Sequence, residues 1–128
     1  MQITHHNPDT LHANPAFSQA VSVEGASRMI YVGGQNGITA DGRLAGADVG
    51  AQSEQALKNV LEALKAAGAS QKSVVKLNVY VVEGHDINTA FAASRKVWGE
   101  YPTAVTVLVV AGLAVPGALV EIEAVAAV

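Results

Sequence analysis

The sequence predicts an α+β domain in which two helices cover one face of a mixed β-sheet. Three observations support this: stretches of alternating apolar residues typical of strands, two stretches with apolar residues at helical spacing, and turn-forming residues between them. The predicted order is ββ-α-β-α-ββ, which packs as two layers. At 128 residues the chain has the length of one ordinary domain, so we expect 1–128 to form a single one.

The first two strands are predicted to form a hairpin. Apolar residues alternate over residues 17–24, and Gly25-Ala26-Ser27 has the composition of a turn. The return strand covers residues 28–32 and runs into the glycine-rich and polar segment 33–37. The N-terminal pair His5-His6 lies outside this pattern, and we expect it to belong to a mobile tail.

Residues that favour helix termini delimit two helices. Asp48 can cap the first helix, whose apolar stripe ends near Gly68, a residue suited to a helix C-terminus. Asp86 can cap the second helix, and Pro102 is expected to end it. Both helices are therefore amphipathic, and each is expected to bury one face against the sheet.

The later strands differ in the arrangement of their apolar residues. Residues 73–82 alternate between an apolar and a polar face, and so do residues 118–128, where Glu121 and Glu123 occupy the second face. Residues 103–110 are almost continuously apolar and β-branched, which predicts a strand covered on both faces.

The apolar content predicts a subunit interface. Half of the residues are hydrophobic and only 15% are charged, which is rich for a small monomer with much surface per volume. The helix-free face of the predicted sheet mixes glycine, glutamine, threonine and glutamate with valine. A face of this kind is neither clearly solvated nor clearly buried, and we expect it to pack against another subunit.

Charge and composition argue against several classes of protein. The net charge is −3 and the eight basic residues are scattered, so we expect no nucleic-acid partner. There is no cysteine, and no pair of histidines has metal-ligand spacing, so we expect neither a metal nor another cofactor. No secretory signal and no apolar run of about 18 residues is present, which predicts a cytoplasmic protein with no membrane partner.

Five segments resemble, in order, those of one known family, the Rid (YjgF/YER057c/UK114) superfamily. They are Ala16-Phe17-Ser18-Gln19-Ala20 for the family's Pro-Tyr-Ser-Gln-Ala, Ile30-Tyr31-Val32-Gly33-Gly34-Gln35 for Ile-Tyr-Val-Ser-Gly-Gln, Gln55-Ala56-Leu57-Lys58-Asn59-Val60 for a Gln-x-x-x-Asn-(Val/Ile) helix, Tyr101-Pro102-Thr103-Ala104 for Phe-Pro-Ala-Arg, and the C-terminal strand Val120–Ala126. The resemblance runs from about Phe17 to the C-terminus.

This resemblance implies a fold, an assembly and an activity. The fold is chorismate-mutase-like, and the assembly is a homotrimer whose sheets form a central barrel with clefts between adjacent subunits. The best-known activity of the family is hydrolysis of 2-imino acids, such as 2-iminopropanoate, to the 2-oxo acid and ammonia.

Several positions depart from the family's pattern. The arginine that holds the substrate carboxylate in family deaminases, by a bidentate geometry few other side chains offer, is replaced by Ala104. The family's cleft tyrosine corresponds to Phe17, its strand-end serine to Gly33, and a helix asparagine to Phe91. These changes imply a more apolar cleft and a substrate that lacks a carboxylate or is held differently.

Spacing and resemblance together predict an intersubunit cleft that binds a small molecule. Glu121 is the only carboxylate in the set, and we expect it to position a water or transfer a proton as a general acid or base. The alternative is a solvated or interface-paired carboxylate, and the glycine-rich segment could equally serve only as a turn. The other expected cleft residues are Phe17, Gly33, Gly34, Gln35, Asn36, Ala104 and Thr106.

The predicted function is that of a Rid-type hydrolase or deaminase acting on a small reactive imine, enamine or related molecule. One alternative is a non-catalytic trimer that binds a small ligand. The endoribonuclease activity associated with the family ranks last, because the sequence has neither a basic patch nor a catalytic pair of histidines.

Overall fold

A computed structural model describes residues 1–128 of the chain. It contains two α-helices and six strands, together with a 3₁₀ turn at Gln71–Ser73. In chain order the elements are β1 (Gln2–His6), β2 (Ala20–Glu24), β3 (Met29–Asn36), α1 (Val49–Ala66), β4 (Val74–Val82), α2 (Ile87–Trp98), β5 (Ala104–Val110) and β6 (Val120–Ala127).

The last four strands form a mixed sheet of order β3-β6-β4-β5. Strand β6 runs antiparallel to both of its neighbours, whereas β4 and β5 are parallel and are connected through α2. This is the predicted arrangement of a mixed sheet with both helices on one side, and it confirms the α+β fold class.

The predicted hairpin between β2 and β3 is wrong. Strand β2 pairs instead with β1, and the two form a separate antiparallel sheet in which Ile3 lies opposite Val23. The predicted alternation of β2 and the turn at Gly25, which has a φ of 70°, are confirmed. An alternating strand can pair on either edge, however, and nothing in a local pattern selects the neighbour.

The N-terminal residues are ordered by specific contacts, so the mobile tail predicted for them is also wrong. The Nδ1 atom of His5 lies 2.8 Å from Ser18 Oγ, and its ring packs edge-on against Tyr101 with centroids 5.6 Å apart. The Ser18 hydroxyl donates to the Pro102 carbonyl, and the Ser18 amide donates to the Thr103 carbonyl at 3.0 Å. These bonds attach the two-stranded sheet beside the start of β5.

Both predicted helix N-caps are confirmed. Asp48 accepts a hydrogen bond from the Ala51 amide at 2.9 Å. Asp86 accepts from the Thr89 hydroxyl at 2.8 Å and from the Asn88 amide at 3.1 Å. These bonds lower the pKa of the Asp86 carboxyl below its usual value. The bond from Thr89 is the largest cause, and the bond from Asn88 is the next.

The two helices end at glycines with left-handed backbone conformations. Gly68, with a φ of 77°, follows α1 as predicted, and Gly99, with a φ of 71°, follows α2. The second helix therefore stops at Gly99, before Pro102 is reached, because glycine adopts this conformation without steric cost.

The hydrophobic core lies between α1 and the centre of the sheet. Ala56, Val60 and Leu64 are fully buried on the helix, and Val120 and Ile122 are buried on β6.

Gln52 is the buried polar residue that joins α1 to the neighbouring loops. Its amide nitrogen donates to the Gly46 and Gly117 carbonyls, and its oxygen accepts from the Leu119 amide. Gly37 lies so close to this turn of helix that a Cβ would come within 2.8 Å of the Gln52 carbonyl carbon. The end of β3 is thereby fixed against α1.

Strand β5 is an edge strand, and the prediction that both its faces are covered is wrong within this chain. Val107, Leu108 and Val109 are 41%, 48% and 56% exposed. The β-branched run predicted the strand correctly, but within the chain only its two ends are partly buried, with Val105 against the core. Neither helix is long and apolar enough to cross a lipid bilayer.

Candidate functional site

The helix-free face of the sheet, called here the polar face, carries hydrogen-bonding side chains on neighbouring strands. Asn36 of β3 and Tyr80 of β4 both lie opposite Glu121 of β6 in the strand register. Two residues further along β6, Glu123 lies opposite Asn78 of β4. Alternation along β6 buries Val120, Ile122 and Ala124 beneath the helices and leaves the two carboxylates on the opposite face, partly exposed.

Glu121 is held by residues from the predicted glycine-rich segment. The Asn36 Nδ2 atom donates to Glu121 Oε1 at 3.2 Å and to the Val120 carbonyl at 3.0 Å. Asn59 of α1 in turn donates to the Asn36 carbonyl at 3.1 Å. Gly34 provides the space for the carboxylate, since a Cβ there would lie 2.8 Å from the Glu121 carboxyl carbon.

The other two expected cleft residues of that segment, Gly33 and Gln35, form no side-chain hydrogen bond with Glu121. The Gln35 amide donates to the Gly33 carbonyl at 3.2 Å, and a Cβ on Gly33 would meet no atom within 4 Å. The register between β3 and β6 shifts between Val32 and Gln35. Such a bulge re-aims the residues that follow it, and here it brings Asn36 level with Glu121.

A second group on the polar face was not among the predicted site residues. Glu123 accepts hydrogen bonds from the Tyr80 hydroxyl at 2.6 Å and from Asn78 Nδ2 at 3.2 Å. The bond to Glu123 is the main cause that raises the pKa of Tyr80 above its ordinary value. Alternation along β4 predicts a polar face, but only the pairing of β4 with β6 brings these residues to Glu123.

Ala104 and Thr106 share the polar face but lie on the edge strand β5. In the register, Ala104 is opposite Lys76 of β4, and the Lys76 ammonium donates to Thr106 Oγ1 at 2.7 Å. Lys76 takes part in none of the three ion pairs of the chain. An unpaired cation therefore lies beside Ala104, and it was also absent from the predicted site.

The predicted residues on β5 and β6 are not brought together within one chain. Ala104 and Glu121 are separated by two strand spacings across the sheet and by four residues along it. These spacings place their Cα atoms roughly 16 Å apart. The polar face thus holds three groups, around Glu121, around Glu123 and around Lys76.

Phe17 lies on the helix-covered side of the molecule. Its ring packs edge-on against Phe91 of α2 with centroids 5.9 Å apart, and both rings line a cavity between α2 and strands β4 and β5. The next residue, Ser18, forms an isolated bridge with Ala104, which brings Phe17 near the start of β5. Its participation in an intersubunit cleft stays a prediction.

The groups on the polar face can perform proton transfer and orient water. Both carboxylates are accessible, and each is oriented by at least one amide or hydroxyl donor. No group of three or more histidine, cysteine, aspartate or glutamate side chains is arranged to hold a metal ion.

Comparison with known proteins identifies related sequences and structures. The sequence model of the family described as endoribonuclease L-PSP matches residues 7–128. The human 2-iminobutanoate/2-iminopropanoate deaminase is 39% identical over 111 residues, which cover 86% of this chain and 78% of that protein.

Solved structures share the fold. The Rid-family protein YyfB from Yersinia pestis, a protein of unknown function, superimposes with a TM-score of 0.87 at 35% identity over 100% of both chains. A member of the YjgF/YER057c/UK114 family from Mycobacterium tuberculosis gives a TM-score of 0.66 at 32% identity, covering 88% of this chain and 86% of that chain.

Proposed function

This chain belongs to the Rid (YjgF/YER057c/UK114) family, and from that premise we propose that it hydrolyses a small reactive imine or enamine in a cleft between subunits. The similarity to 2-iminobutanoate/2-iminopropanoate deaminases supports a deaminase-type function at the level of the family. The substrate range, the role of Glu121 and the subunit assembly are the parts that the proposal adds.

The observation that carries the proposal is the way Glu121 is held. Asn36 binds Oε1, which leaves Oε2 free on the polar face beside the space that Gly34 provides. A carboxylate fixed in this way can act first as a base and then as an acid.

The proposed reaction converts a C=N bond and one water into a carbonyl compound and an amine or ammonia. Glu121 takes a proton from the water as its oxygen attacks the imine carbon and the C=N electron pair moves to nitrogen. Glu121 then gives that proton to the nitrogen, which forms a neutral carbinolamine. In the second step the carboxylate takes the hydroxyl proton of the carbinolamine and passes it to the nitrogen, so that the C–N bond breaks with release of a neutral amine or ammonia and formation of the carbonyl.

The distance between Ala104 and Glu121 within one chain supports an intersubunit cleft. The register positions of Ala104 and Glu121 within one chain place them too far apart for a small imine to contact both. We propose that the polar face of one chain packs near the exposed β5 edge of another, and that Glu121 of one copy and Thr106 of the next line the same cleft. The exposed apolar residues of β5 supply surface for such packing, and we propose a homotrimer.

The residues around Ala104 support an altered substrate range. An arginine at this position would offer a planar, two-pronged donor for a carboxylate, which alanine cannot. Lys76 provides a single ammonium on the neighbouring strand, already bonded to Thr106. We therefore propose that the preferred substrate has no carboxylate, or that Lys76 binds the carboxylate without bidentate geometry.

Coupled oxidase assays test the proposal. An amine oxidase and an amino-acid oxidase would generate a carboxylate-free imine and 2-iminopropanoate, respectively, and release of the carbonyl product would be followed with and without the protein. We expect the protein to accelerate hydrolysis of the carboxylate-free imine, and we expect the Glu121→Gln variant to lose this acceleration. If neither imine is hydrolysed faster than in buffer while the protein still binds the imine or its product, the non-catalytic ligand-binding alternative replaces the enzyme.

A further inference from the structure

A cavity of about 740 Å³ separates α2 from strands β4 and β5 on the helix-covered side of the sheet. Its volume falls in the range of small-molecule sites, and 14 of its 22 lining residues are hydrophobic. It lies on the opposite side of the sheet from Glu121. Phe17, one of the residues expected in the imine cleft, also lines this space, but Glu121 and the other expected cleft residues do not.

The cavity exists because α2 packs less closely on the sheet than α1. On the helix, Ile87 and Phe91 are 40% and 41% exposed, although both line this space. Across it, Val107 of β5 is 41% exposed. The space is therefore apolar and open to solvent, a combination that is typical of small-molecule sites.

A buried hydroxyl group without a partner lies in the cavity wall. Ser53 of α1 is 1% exposed, and its Oγ is the one buried side-chain polar atom that forms no hydrogen bond. A buried polar group left without a hydrogen bond destabilises the folded state, so such groups nearly always have a partner. Ser94 also lines the cavity, but its hydroxyl donates to the Ala90 carbonyl at 2.8 Å.

The remaining polar and aromatic groups limit the charge of a ligand. Phe17 and Phe91 offer aromatic edges and faces. Arg95 lies 5.9 Å from the Phe91 ring centroid, and its guanidinium is paired with Glu100 at 3.3 Å. The two charges among the lining residues therefore compensate each other, which favours a neutral molecule.

We propose that this cavity binds a neutral, mainly apolar or aromatic small molecule whose single hydroxyl or carbonyl group hydrogen-bonds to Ser53. The hydrocarbon part fills the space between α2 and the sheet, and the aromatic pair Phe17 and Phe91 contacts it. The proposal does not depend on imine hydrolysis, because none of the residues around Glu121 on the polar face line this cavity.

The pair of probes 4-bromophenol and bromobenzene tests this ligand class. They share the aromatic ring and the bromine, but only the first carries a hydroxyl for Ser53. Trp98, the only tryptophan of the chain, lines the cavity, and bromine quenches tryptophan fluorescence at short range. We expect saturable quenching by both probes, with 4-bromophenol binding roughly threefold or more tightly, as one neutral hydrogen bond allows.

Variants test whether the two probes bind in the cavity or elsewhere on the protein. Ser53→Ala should abolish the preference for 4-bromophenol, whereas the matched control Ser94→Ala should retain it. Val107→Phe should fill the space and remove quenching by both probes. Ala90→Leu narrows the cavity from the helix side and serves the same purpose if Val107→Phe does not fold.

Crystals soaked in 4-bromophenol give the position of the probe directly through anomalous scattering from bromine. Bromine between α2 and β5 would support the proposal. It would be overturned by bromine bound only elsewhere, by quenching that neither filling variant reduces, or by a preference that survives Ser53→Ala.

Discussion

Gly34 and Glu121 are in contact across strands β3 and β6, and the glycine determines where the carboxylate lies. A Cβ at position 34 would overlap the Glu121 Oε2 atom and come within 2.8 Å of its carboxyl carbon. The other carboxylate oxygen is bound by Asn36. The position of the proposed acid–base group thus depends on a missing side chain as much as on a hydrogen bond.

Substituting Gly34 with alanine should displace the Glu121 carboxylate and break its bond to Asn36. Because the atoms that must move belong to the end of a flexible side chain, the unfolding free energy should change by no more than about 1 kcal/mol. Turnover of an accepted imine should fall strongly. The measurements are denaturant unfolding, a coupled oxidase assay and a crystal structure of the variant.

Gly112→Ala is the control for this change. Gly112 follows β5, has no positive φ, leaves open space for a methyl group and is not among the expected cleft residues. We expect it to keep its turnover and the wild-type position of Glu121. Equal activity of the two alanine variants would show that the position of Glu121 is unimportant for the reaction.

Glu121→Gln and Glu123→Gln should have different effects. The first removes the proposed acid–base group, and the rate of imine hydrolysis should fall roughly 100-fold or more. The second alters the acceptor of Tyr80 and Asn78, so we expect a loss of stability with most of the turnover retained. Full activity of Glu121→Gln in an intact assembly would exclude the proposed role.

Tyr80 should ionise at a higher pH than an ordinary tyrosine. Its hydroxyl donates to Glu123, and ionisation would lose that bond and place two negative charges side by side, so its pKa is raised. An unfolded tyrosine titrates near pH 10, as a general value. The stabilising contribution of Tyr80 is therefore complete below about pH 10 and is lost as the pH rises through the higher pKa of the folded state.

Ultraviolet titration of tyrosinate absorbance checks this prediction. Comparing the wild type with Tyr80→Phe isolates the residue, and Glu123→Gln should return the pKa of Tyr80 towards its ordinary value. A titration of Tyr80 that is the same with and without the Glu123 charge would contradict the assignment of the hydrogen bond as the main cause.

Ala104→Arg should increase activity on 2-iminopropanoate. Hydrogen bonds to charged groups are worth about 1.5–3 kcal/mol, so kcat/KM should rise about tenfold or more if the arginine reaches the substrate carboxylate. The wild type should act on this imine much more slowly than the human deaminase that it resembles. A wild-type rate comparable to that of the human enzyme would refute the altered substrate range.

Lys76→Met tests whether the ammonium beside Ala104 binds any remaining carboxylate. Lys76 is bonded to Thr106 on the polar face, and its loss should raise KM for carboxylate-bearing imines and leave carboxylate-free ones unchanged. The control is Lys72→Met, a lysine in the 3₁₀ turn before β4. Equal changes for both classes of imine would exclude a carboxylate-binding role.

Light scattering should give about three times the chain mass of 13.1 kDa in dilute solution. Leu108→Asp places a charge on the exposed apolar edge of the polar face, where we expect it to dissociate the trimer. Leu11→Asp, at a residue that is 52% exposed before β2, is the control and should not. A wild-type particle of one chain mass would disprove the assembly.

Local signals predicted the helices well because their ends depend on adjacent residues. Asp48 and Asp86 cap from their own first turns, and Gly68 ends α1 through its own backbone conformation. The partner of β2 could not be predicted in this way. Its choice of β1 over β3 depends on contacts such as that of His5 with Ser18, which are distant in sequence.

The candidate site was predictable in part. Glu121, Gly34 and Asn36 were expected together, and strand pairing brings them into contact. Tyr80 and Lys76 were missed as site residues, because alternation along β4 gives their face but not the strands that flank them.

The sequence by itself determined the types of the elements other than β1, the N-caps of both helices, the end of α1, the family and the departure at Ala104, since each depends on residue identity at short range or on the order of motifs. Only the tertiary structure decided which edges pair, that Ala104 and Glu121 lie far apart within one chain, and that Phe17 meets Phe91 on the helix-covered side. The physical reason is that strand pairing and the spacing between layers depend on the packing of the whole chain. Neither can be read from the alternation of a single strand.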